Sequence, residues 1–494
     1  MASFNKLHHA CVIGLALVVA QAAMALELRR GPYLQRSAPA EITIRWRTDA
    51  PSDSRVQYGT NVDNLTLALT NNGSFTNHEV RLRNLLAETL YYYSVGSSVT
   101  NLASGAGYSF MTAPLAARPT RIWAIGDSGT GDSSAAAMRD AYTNYAGARR
   151  TDVWLTLGDN AYFGGADAQY QVAVFDIFRD LLRHMAIWPS IGNDESQFDF
   201  EQVFTLPQNA EAGGIASSNE SYYAFNYGNV HFVALNSPFE DVSTNGPMYR
   251  WLQRDLAANS NRWLIAYWHH PPYSRGSHYS DIDPTQIAMR TNFVRLLEQH
   301  GIDLVLCGHS HDFERSFLLH GHYGFSTNLQ PGMILNHGNG REDQDGPYRK
   351  LLYGTNANQG AVYVVAGASS RPLGIGTLDH PAMYISFAEL GSLVLDVDGN
   401  RLDARYLSAD GMIRDYFTII KEPLPALGIT LSESKVLLRW PVAASNFVAQ
   451  VTGDLNSPIM WQSITNAPML FQGERIVRLE RLGTNQFYRL RQQP

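Results

Sequence analysis

The chain has 494 residues, 45% of them hydrophobic and 17% charged, with a formal net charge of −7 and two cysteines. The ordinary apolar fraction excludes a wholly disordered chain, the negative charge argues against nucleic acid as a stable partner, and two cysteines are too few for a disulfide scaffold or a cysteine-based zinc framework. At about 150 residues per domain, this length predicts about three domains.

Residues 1–25 have the pattern of a secretory signal peptide. Lys6 precedes an uncharged stretch over 10–25, and the Ala-Met-Ala at 23–25 fits the small-x-small rule for cleavage after Ala25. The apolar run is short for a helix that crosses a bilayer, so an uncleaved anchor is the less favoured alternative. We therefore expect a secreted or periplasmic protein with no membrane segment after processing.

Residues 27–114 are predicted to form a β-sandwich. The runs over 42–46 and 54–58 alternate between apolar and polar residues, and turn-forming residues flank them. The Leu85-x-x-x-Thr89-x-Tyr91 pattern resembles fibronectin type III modules, in which such a tyrosine forms a corner. This domain would either shape access to a substrate or act as a spacer, and the sequence leaves both open.

Residues 119–420 alternate between two patterns, and the alternation predicts an α/β layered domain. Apolar runs typical of strands buried on both faces lie at 120–126, 152–157, 230–235, 262–267, 302–307 and 361–366. Helical patterns lie at 132–145, 167–184, 247–258 and 285–299. Residues 424–494 return to short alternating runs, such as 436–440 and 475–479, and predict a small all-β domain for stability or surface attachment.

Side chains that commonly bind metals follow four of the predicted strands and the segment 186–191, and open α/β sheets form their sites beyond the carboxyl ends of strands. The candidates are Asp127 after 120–126, Asp159 and Tyr162 after 152–157, Asn193 after 186–191, His269 after 262–267, and His309 and His311 after 302–307. Each motif alone is weak, because Gly-Asp after a strand is usually only a turn. The ordered set nevertheless predicts a metal site.

The ordered set resembles the metallophosphoesterase superfamily over about residues 119–420, and within it the purple acid phosphatases. Gly129 stands where many members of the superfamily have a histidine, and Tyr162 stands three residues after the second aspartate, where purple acid phosphatases carry a compensating tyrosine. The resemblance implies a central α/β domain of four layers (αββα) between the N-terminal β-sandwich and the C-terminal all-β module.

The resemblance also implies two metal sites. Site one would use Asp127, Asp159, Tyr162 and His311, and site two would use Asp159, Asn193, His269 and His309, so that Asp159 bridges. The family's His-x-Pro spacing selects His269 rather than His270, because Pro271 follows two residues later. Carboxylates and a phenolate suit Fe(III) in site one, whereas a carboxylate, an amide and two imidazoles suit Zn, Fe or Mn(II) in site two.

Two further residues are candidate catalytic side chains. His278 lies nine residues after His269, where purple acid phosphatases carry a histidine that contacts substrate; it would hold phosphate or protonate the leaving group, unless it is only a surface loop residue. Asp194 replaces the histidine of the family's Gly-Asn-His-Glu motif. An ionised aspartate would repel a phosphate dianion and shift preference towards diesters. A second possibility is that Asp194 replaces Asn193 as a ligand.

We therefore expect an exported binuclear metal-dependent acid phosphatase that hydrolyses phosphomonoesters by attack of a metal-bound hydroxide. Its expected partner is a phosphate ester substrate. The nearest alternative is a phosphodiesterase of the same superfamily. A non-catalytic surface-binding protein is an alternative from a different class, and the complete ligand set argues against it because a binding protein has no need of these ligands.

Overall fold

In a computed structural model of the chain, the residues described are 25–352, 356–423, 425–432, 434–442, 444, 447–482 and 485–492. The predicted signal peptide over 1–25 lies outside the described residues except for its last position. Among the helices described, none has the length and apolar content that crossing a membrane requires.

The N-terminal part of the chain forms six strands joined by hydrogen bonds into one connected sheet. They are β1 (Leu28–Gln35), β2 (Glu41–Gly59), β3 (Leu67–Arg83), β4 (Leu90–Gly96), β5 (Asn101–Ala103) and β6 (Ser109–Met111). The runs predicted as two separate strands are the two halves of β2. Its pairing with β3 is irregular between Arg47 and Ser54, so one long strand changes direction locally instead of ending.

The predicted tyrosine corner is present in this N-terminal sheet. The backbone N–H of Leu86 donates a hydrogen bond to Tyr91 Oη at 3.0 Å, which is the contact that such a corner makes with the chain upstream. Tyr91 also packs in the core of the sheet, together with Trp46 and Val56 from the two halves of β2.

The central part contains sixteen of the strands described. They are β7 (Thr120–Ile125), β8 (Val153–Leu157), β9 (Ile187–Ser190), β10 (Tyr223–Tyr227), β11 (Val230–Ala234), β12 (Trp263–Trp268), β13 (Leu304–Cys307), β14 (Phe313–Ser316), β15 (Leu318–Leu319), β16 (Ile334–Asn336), β17 (Tyr348–Leu351), β18 (Val362–Ala366), β19 (Met383–Phe387), β20 (Gly391–Asp398), β21 (Arg401–Ser408) and β22 (Ile413–Glu422). The six apolar runs predicted as strands are all confirmed as strands, with small changes at their ends.

The helices lie in the central part as well. They are α1 (Ser133–Ala146), α2 (Asp167–Tyr170), α3 (Arg179–Leu182), α4 (Gln197–Val203), α5 (Pro247–Ala258), α6 (Pro284–Ala288) and α7 (Arg295–Gln299). The helices predicted over 167–184 and 285–299 each contain a π-helical segment, at Gln171–Asp176 and Met289–Val294. Short 3₁₀ turns occur at Ser326–Asn328 and Pro331–Met333.

Two seven-stranded sheets form the centre of the molecule. One has the order β17-β22-β21-β20-β7-β8-β9 and the other β10-β11-β12-β13-β18-β14-β19. They pack face to face: the rings of Trp188 and Phe225 stack across the two sheets with centroids 3.8 Å apart. Tyr142 of α1 covers the first sheet and Trp251 of α5 the second, which confirms the predicted four layers.

Parallel pairing places the candidate site. Strands β7, β8 and β9 are parallel neighbours in the first sheet, and β11, β12, β13 and β18 are parallel neighbours in the second. The carboxyl ends of parallel strands meet at one edge of a sheet. Because the two sheets also pack face to face, the loops that follow β7, β8, β9, β12 and β13 meet at one end of the pair.

The N-terminal sheet docks on the central part through hydrogen bonds and ion pairs. Tyr33 Oη donates to the carbonyl oxygen of Val203 at 2.8 Å, and Arg30 and Arg47 both pair with Asp167 of α2. Burial lowers the pKa of Arg30, whereas the hydrogen bond with Asp167 raises the pKa of Arg47.

The C-terminal part is all-β, as predicted. Its strands are β23 (Gly428–Leu431), β24 (Lys435–Pro441), β25 (Phe447–Thr452), β26 (Gln462–Ser463), β27 (Met469–Phe471), β28 (Glu474–Glu480) and β29 (Phe487–Gln492). They form a four-stranded and a three-stranded sheet, with a small core around Leu438 and Trp440.

Candidate metal centre

The sequence-predicted ligands come together at the carboxyl ends of the parallel strands. Asp127, Asp159, His269, His309 and His311 are all at least 90% buried, and Tyr162 is 4% exposed. Asn193 lies at the surface edge of the same group. Buried charged and polar groups are costly unless they are paired or bind a cation, so this concentration of ligand-type side chains marks a candidate metal centre.

The backbone at this centre adopts conformations that few residues take. Asp127, Asp159 and His309 have φ values of 55°, 50° and 68°, in the left-handed region that non-glycine residues seldom occupy. Such outliers cluster at functional sites. The turns after β7, β8 and β13 thus aim three side chains at one point.

Glycines permit the close approach of these turns. A Cβ on Gly308 would lie 2.4 Å from Asp127 Oδ2, and a Cβ on Gly158 would lie 2.5 Å from His269 Nδ1. A Cβ on Gly129 would lie 2.6 Å from the carbonyl oxygen of Asp159. The position where many superfamily members have a histidine therefore has no room for any side chain here.

One group of donors surrounds Tyr162. Its Oη lies 3.2 Å from His311 Nε2 and 3.4 Å from Asp127 Oδ1, and His311 Nε2 lies 3.4 Å from the same carboxylate oxygen. Asp127, Asp159 and His311 also offer ligand atoms that all lie within 4.8 Å of one another. This group corresponds to the residues predicted for site one.

A second group of donors surrounds His269. Its Nε2 lies 2.9 Å from Asn193 Oδ1, 3.2 Å from His309 Nδ1 and 3.5 Å from Asp159 Oδ1. The carbonyl oxygen of Leu157 lies 3.0 Å from His269 Nδ1, so Nδ1 carries the proton and Nε2 is free to act as a ligand. This group corresponds to the residues predicted for site two, with Asp159 in reach of both groups.

His309 has a second set of neighbours that the sequence did not point to. His270, Asp283 and His309 form another group of possible ligands within 4.8 Å, and His309 Nε2 lies 3.9 Å from Asp283 Oδ2. Asp283 precedes Pro284 and caps α6 by accepting from the backbone N–H groups of Thr285 and Gln286. The sequence signal at this position is that of a helix cap, which gives no indication of proximity to the histidines.

Burial and the nearby acids control ionisation at the centre. Burial, together with the negative charge of Asp127, raises the pKa of Asp159 to about 6. Burial and the charges of Asp127, Asp159 and Asp194 raise the pKa of Tyr162 far above its ordinary value. A cation in contact with these oxygens reverses both shifts, because it stabilises the ionised forms.

The two candidate catalytic residues lie at the rim of the centre. The ring of His278 stacks on that of His309 with centroids 3.7 Å apart, and burial lowers the pKa of His278. Asp194 is exposed, and its backbone N–H donates to Asp159 Oδ1 at 3.0 Å. His278 is thus in contact with the centre, whereas Asp194 orients the shared carboxylate through its main chain.

A buried carboxylate supports the turn that carries Asn193. Glu195 accepts hydrogen bonds from Tyr170 Oη, from Asn160 Nδ2 and from the backbone N–H of Gly192. Burial raises the pKa of Glu195 to about 7. These contacts join the loop after β8 to the loop after β9, and so fix the distance between Asp159 and Asn193.

The loop after β18 completes the wall of the centre, which the sequence analysis did not predict. Ser370 Oγ donates to the carbonyl oxygen of Asp127 at 2.6 Å. The backbone N–H of Leu373 donates to the carbonyl oxygen of His311 at 2.8 Å. Arg371 lies between these anchors with an exposed side chain.

Comparison with known protein families agrees with this geometry. A family model described as calcineurin-like phosphoesterase matches residues 120–313, which include every candidate ligand. A model described as the purple acid phosphatase N-terminal domain matches residues 31–112. The chain carries a calcineurin-like phosphoesterase domain behind a purple acid phosphatase N-terminal domain.

Individual relatives share only part of their length with this chain. Purple acid phosphatase 15 of Arabidopsis thaliana is 28% identical over 276 residues, which are 48% of this chain and 49% of that protein. Purple acid phosphatase 23 of the same plant is 28% identical over 48% of this chain and 57% of its own length. The chain thus spans about half the length of the curated relatives it matches first.

Solved structures share the fold of this chain. The purple acid phosphatase PPD1 from yellow lupin (Lupinus luteus) seeds superposes with a TM-score of 0.62 at 16% identity, covering 80% of this chain and 75% of that one. The structure of PhoD superposes with a TM-score of 0.57 at 12% identity, covering 79% and 90%. At such identities the likeness concerns the arrangement of sheets and helices.

Proposed function

We propose that the protein is a binuclear metal-dependent acid phosphatase that hydrolyses phosphomonoesters. The observation that supports this proposal best is the convergence of two donor groups on Asp159, at the carboxyl ends of strands from two packed sheets. Asp127, Tyr162 and His311 lie on one side of this carboxylate, and Asn193, His269 and His309 lie on the other.

The residues fit a pair of cations. His269 Nε2 and His309 Nδ1 face each other at 3.2 Å, and ions that bind nitrogen and oxygen at about 2.0–2.2 Å hold their ligand atoms roughly 3–3.5 Å apart. Asp127, Asp159 and Tyr162 would supply hard anionic oxygens, which favour Fe(III) in the first site. Asn193 and the two imidazoles favour Zn, Fe or Mn(II) in the second.

A pair of bound ions would activate water and withdraw charge from the phosphoryl group. The residues of the chain would do the remaining work. Asp159 holds the two ligand groups in register, because it accepts the backbone N–H of Asp194 while facing His269. His278, stacked on His309, would donate a proton to the leaving oxygen, and its exposed edge faces the solvent from which substrate arrives.

A phosphodiesterase is the second candidate, and Asp194 is the observation that favours it. This side chain is exposed at the rim, where a carboxylate would repel the two charges of a monoester more than the single charge of a diester. The choice between the two candidates therefore depends on one residue rather than on the ligand set.

The test is a metal analysis joined to steady-state kinetics. We expect two ions per chain by elemental analysis, and hydrolysis of phenyl phosphate and of bis-(p-nitrophenyl) phosphate measured between pH 4 and 8. A larger kcat/KM on the monoester supports the phosphatase, and a larger value on the diester supports the second candidate. A purified protein that binds two ions and hydrolyses neither ester contradicts both candidate activities. That result favours the non-catalytic alternative.

We also propose that the chain is exported by residues 1–25 and that its domains are 27–114, 119–420 and 424–494. The mature protein would begin at Leu26. N-terminal sequencing of the secreted or periplasmic protein tests the cleavage. Limited proteolysis tests the boundaries, since exposed linkers are cut before folded domains.

A further inference from the structure

Phe163 is an exposed aromatic residue directly beside the candidate metal centre. Its side chain is 82% exposed, and its ring centroid lies 6.4 Å from that of Tyr162. Its φ is 66°, and for a bulky residue this conformation is a genuine outlier. A large apolar side chain is thus held in solvent, in a strained conformation, next to a residue of the centre.

The strain is imposed by anchors on both sides. The backbone N–H of Tyr162 donates to the carbonyl oxygen of Gly129 at 3.1 Å, and that of Gly164 donates to the carbonyl oxygen of Asp194 at 3.1 Å. A Cβ on Gly165 would lie 2.6 Å from the Cα of Glu195, so the loop sits tightly on the turn after β9. Phe163 is therefore presented from a fixed backbone that joins the two rims of the centre.

Solitary exposed apolar residues are common on proteins and need no explanation by themselves. Here the exposure comes with a backbone conformation that is unfavourable for a residue with a side chain. Strain at a fixed position beside a reactive centre is typical of a group that contacts a ligand. The neighbouring Asp194 is an exposed carboxylate, which disfavours a negatively charged partner on the same rim.

We propose that Phe163 is the contact surface for the alcohol portion of the substrate, and that this portion is an uncharged aromatic group. This inference rests on the proposed function, in which the phosphoryl group occupies the metal centre. An aromatic leaving group would pack on the Phe163 ring in an offset or edge arrangement, and a small aliphatic alcohol would make no such contact.

The test compares the binding of two phosphonates to the metal-loaded protein by calorimetry. Phenylphosphonate carries the aromatic group and methylphosphonate does not, while both carry the same anion. The variants are Phe163→Asn, since asparagine tolerates a positive φ, Phe163→Tyr, which keeps the ring, and Phe471→Ala, which removes an exposed phenylalanine of β27 in the C-terminal sheet.

We expect Phe163→Asn to weaken the binding of phenylphosphonate about tenfold, which is the change that about 1.4 kcal/mol of contact free energy produces. The affinity for methylphosphonate should stay unchanged. Phe163→Tyr and Phe471→Ala should bind both ligands like the natural chain. An equal loss for both ligands, or no loss for either, overturns the assignment of Phe163.

Failure of the proposed function is recognised separately. If the natural chain prefers phenylphosphonate through Phe163 and yet hydrolyses no ester, the contact of Phe163 with an aromatic group is supported and the proposed phosphatase activity is contradicted. If esters are hydrolysed and Phe163→Asn changes the affinity for neither phosphonate, the proposed phosphatase activity is supported and the assignment of Phe163 is overturned. If the natural chain binds neither phosphonate, the assignment of Phe163 is overturned.

Discussion

Buried histidines in the N-terminal sheet and in the turn after β13 have different surroundings. In the N-terminal sheet, His78 stacks on Trp46 at 4.8 Å, and its ring nitrogens lie 2.8 Å from the hydroxyls of Thr48 and Ser54. In the central part, His309 Nε2 and His311 Nδ1 have no hydrogen-bond partner among the described residues. Both kinds of histidine are buried to a similar degree.

The difference teaches that burial alone does not distinguish a structural histidine from a ligand. His78 has its hydrogen-bonding capacity filled by hydroxyls, which is what a buried polar group needs for stability. His322 and His380 also have ring nitrogens without a partner in the described part of the chain, yet neither belongs to a group of possible metal ligands there. Convergence with carboxylates, rather than a missing hydrogen bond, marks the candidate centre.

The largest effect should come from removing the shared carboxylate. Asp159→Ala should lose both ions and lower kcat/KM about 1000-fold or more, because both ligand groups depend on this side chain. Elemental analysis and ester hydrolysis measure the two effects. Asp255→Asn is the matched control, since Asp255 is equally buried but pairs with His231 at 2.7 Å. Retention of two ions by Asp159→Ala would contradict a bridging role.

The second prediction concerns pH and the N-terminal sheet. Burial lowers the pKa of His78 to about 4, below the ordinary value near 6.5 in the unfolded chain. The unfolded chain therefore binds more protons between these values, and the stability that neutral His78 supports is present above about pH 6.5 and lost as the pH falls towards 4. The loss should reach about 2–3 kcal/mol by pH 4.5.

Hydrogen exchange measures this loss locally. Amides of β2 and β3 in the natural chain should exchange with less protection at pH 4.5 than at pH 7, after correction for the intrinsic rate. A His78→Asn variant should show little of this dependence. The C-terminal strands β24 and β28 provide the control, because residues 424–494 contain no histidine. An unchanged protection of β2 and β3 across this range would mean that His78 does not govern the sheet.

The third prediction addresses Asp194. Asp194→His should raise kcat/KM for a phosphomonoester about tenfold, because it replaces a carboxylate that repels the dianion with a group that can donate a proton. The backbone N–H that orients Asp159 is unaffected by the change. Steady-state kinetics on a monoester and a diester measures the effect, and Asp199→His, on an acid of the first turn of α4, is the control. If the variant shows no gain in kcat/KM on the monoester, the replacement of the family's histidine by Asp194 does not limit the hydrolysis of monoesters.

The smallest change in turnover should come from Tyr162→Phe. If site one holds Fe(III), the phenolate of Tyr162 gives a visible absorption band, and this variant should lose it while kcat falls less than tenfold. The other ligands of site one, Asp127 and His311, remain in place. Visible spectroscopy of the loaded protein measures the band, and a variant that keeps it would remove Tyr162 from the ligand set. Tyr170→Phe is a control because Tyr170 Oη contacts Glu195 instead of a candidate ligand.

The strands and layers of the central part could be predicted from local patterns. Runs such as 361–366 are apolar on both faces, which is typical of strands covered on both sides. Local patterns did not delimit β14, because this strand contains buried polar residues, among them Glu314 and Arg315. Arg315 is tolerated in the core because it pairs with Asp415 at 2.9 Å. The periodicity of apolar residues in the sequence does not predict such a pairing.

The sequence by itself determined which side chains could form the centre. A turn residue of metal-ligand type follows each of five strands, and within each sheet the parallel order places such turns at one edge. Tertiary structure decided the rest, since side chains far apart in the chain become neighbours only through packing. Packing brought Asp283 towards His309 and placed the loop after β18 against the centre. It also left no space for a side chain at Gly129 and left Phe163 exposed to solvent beside the centre.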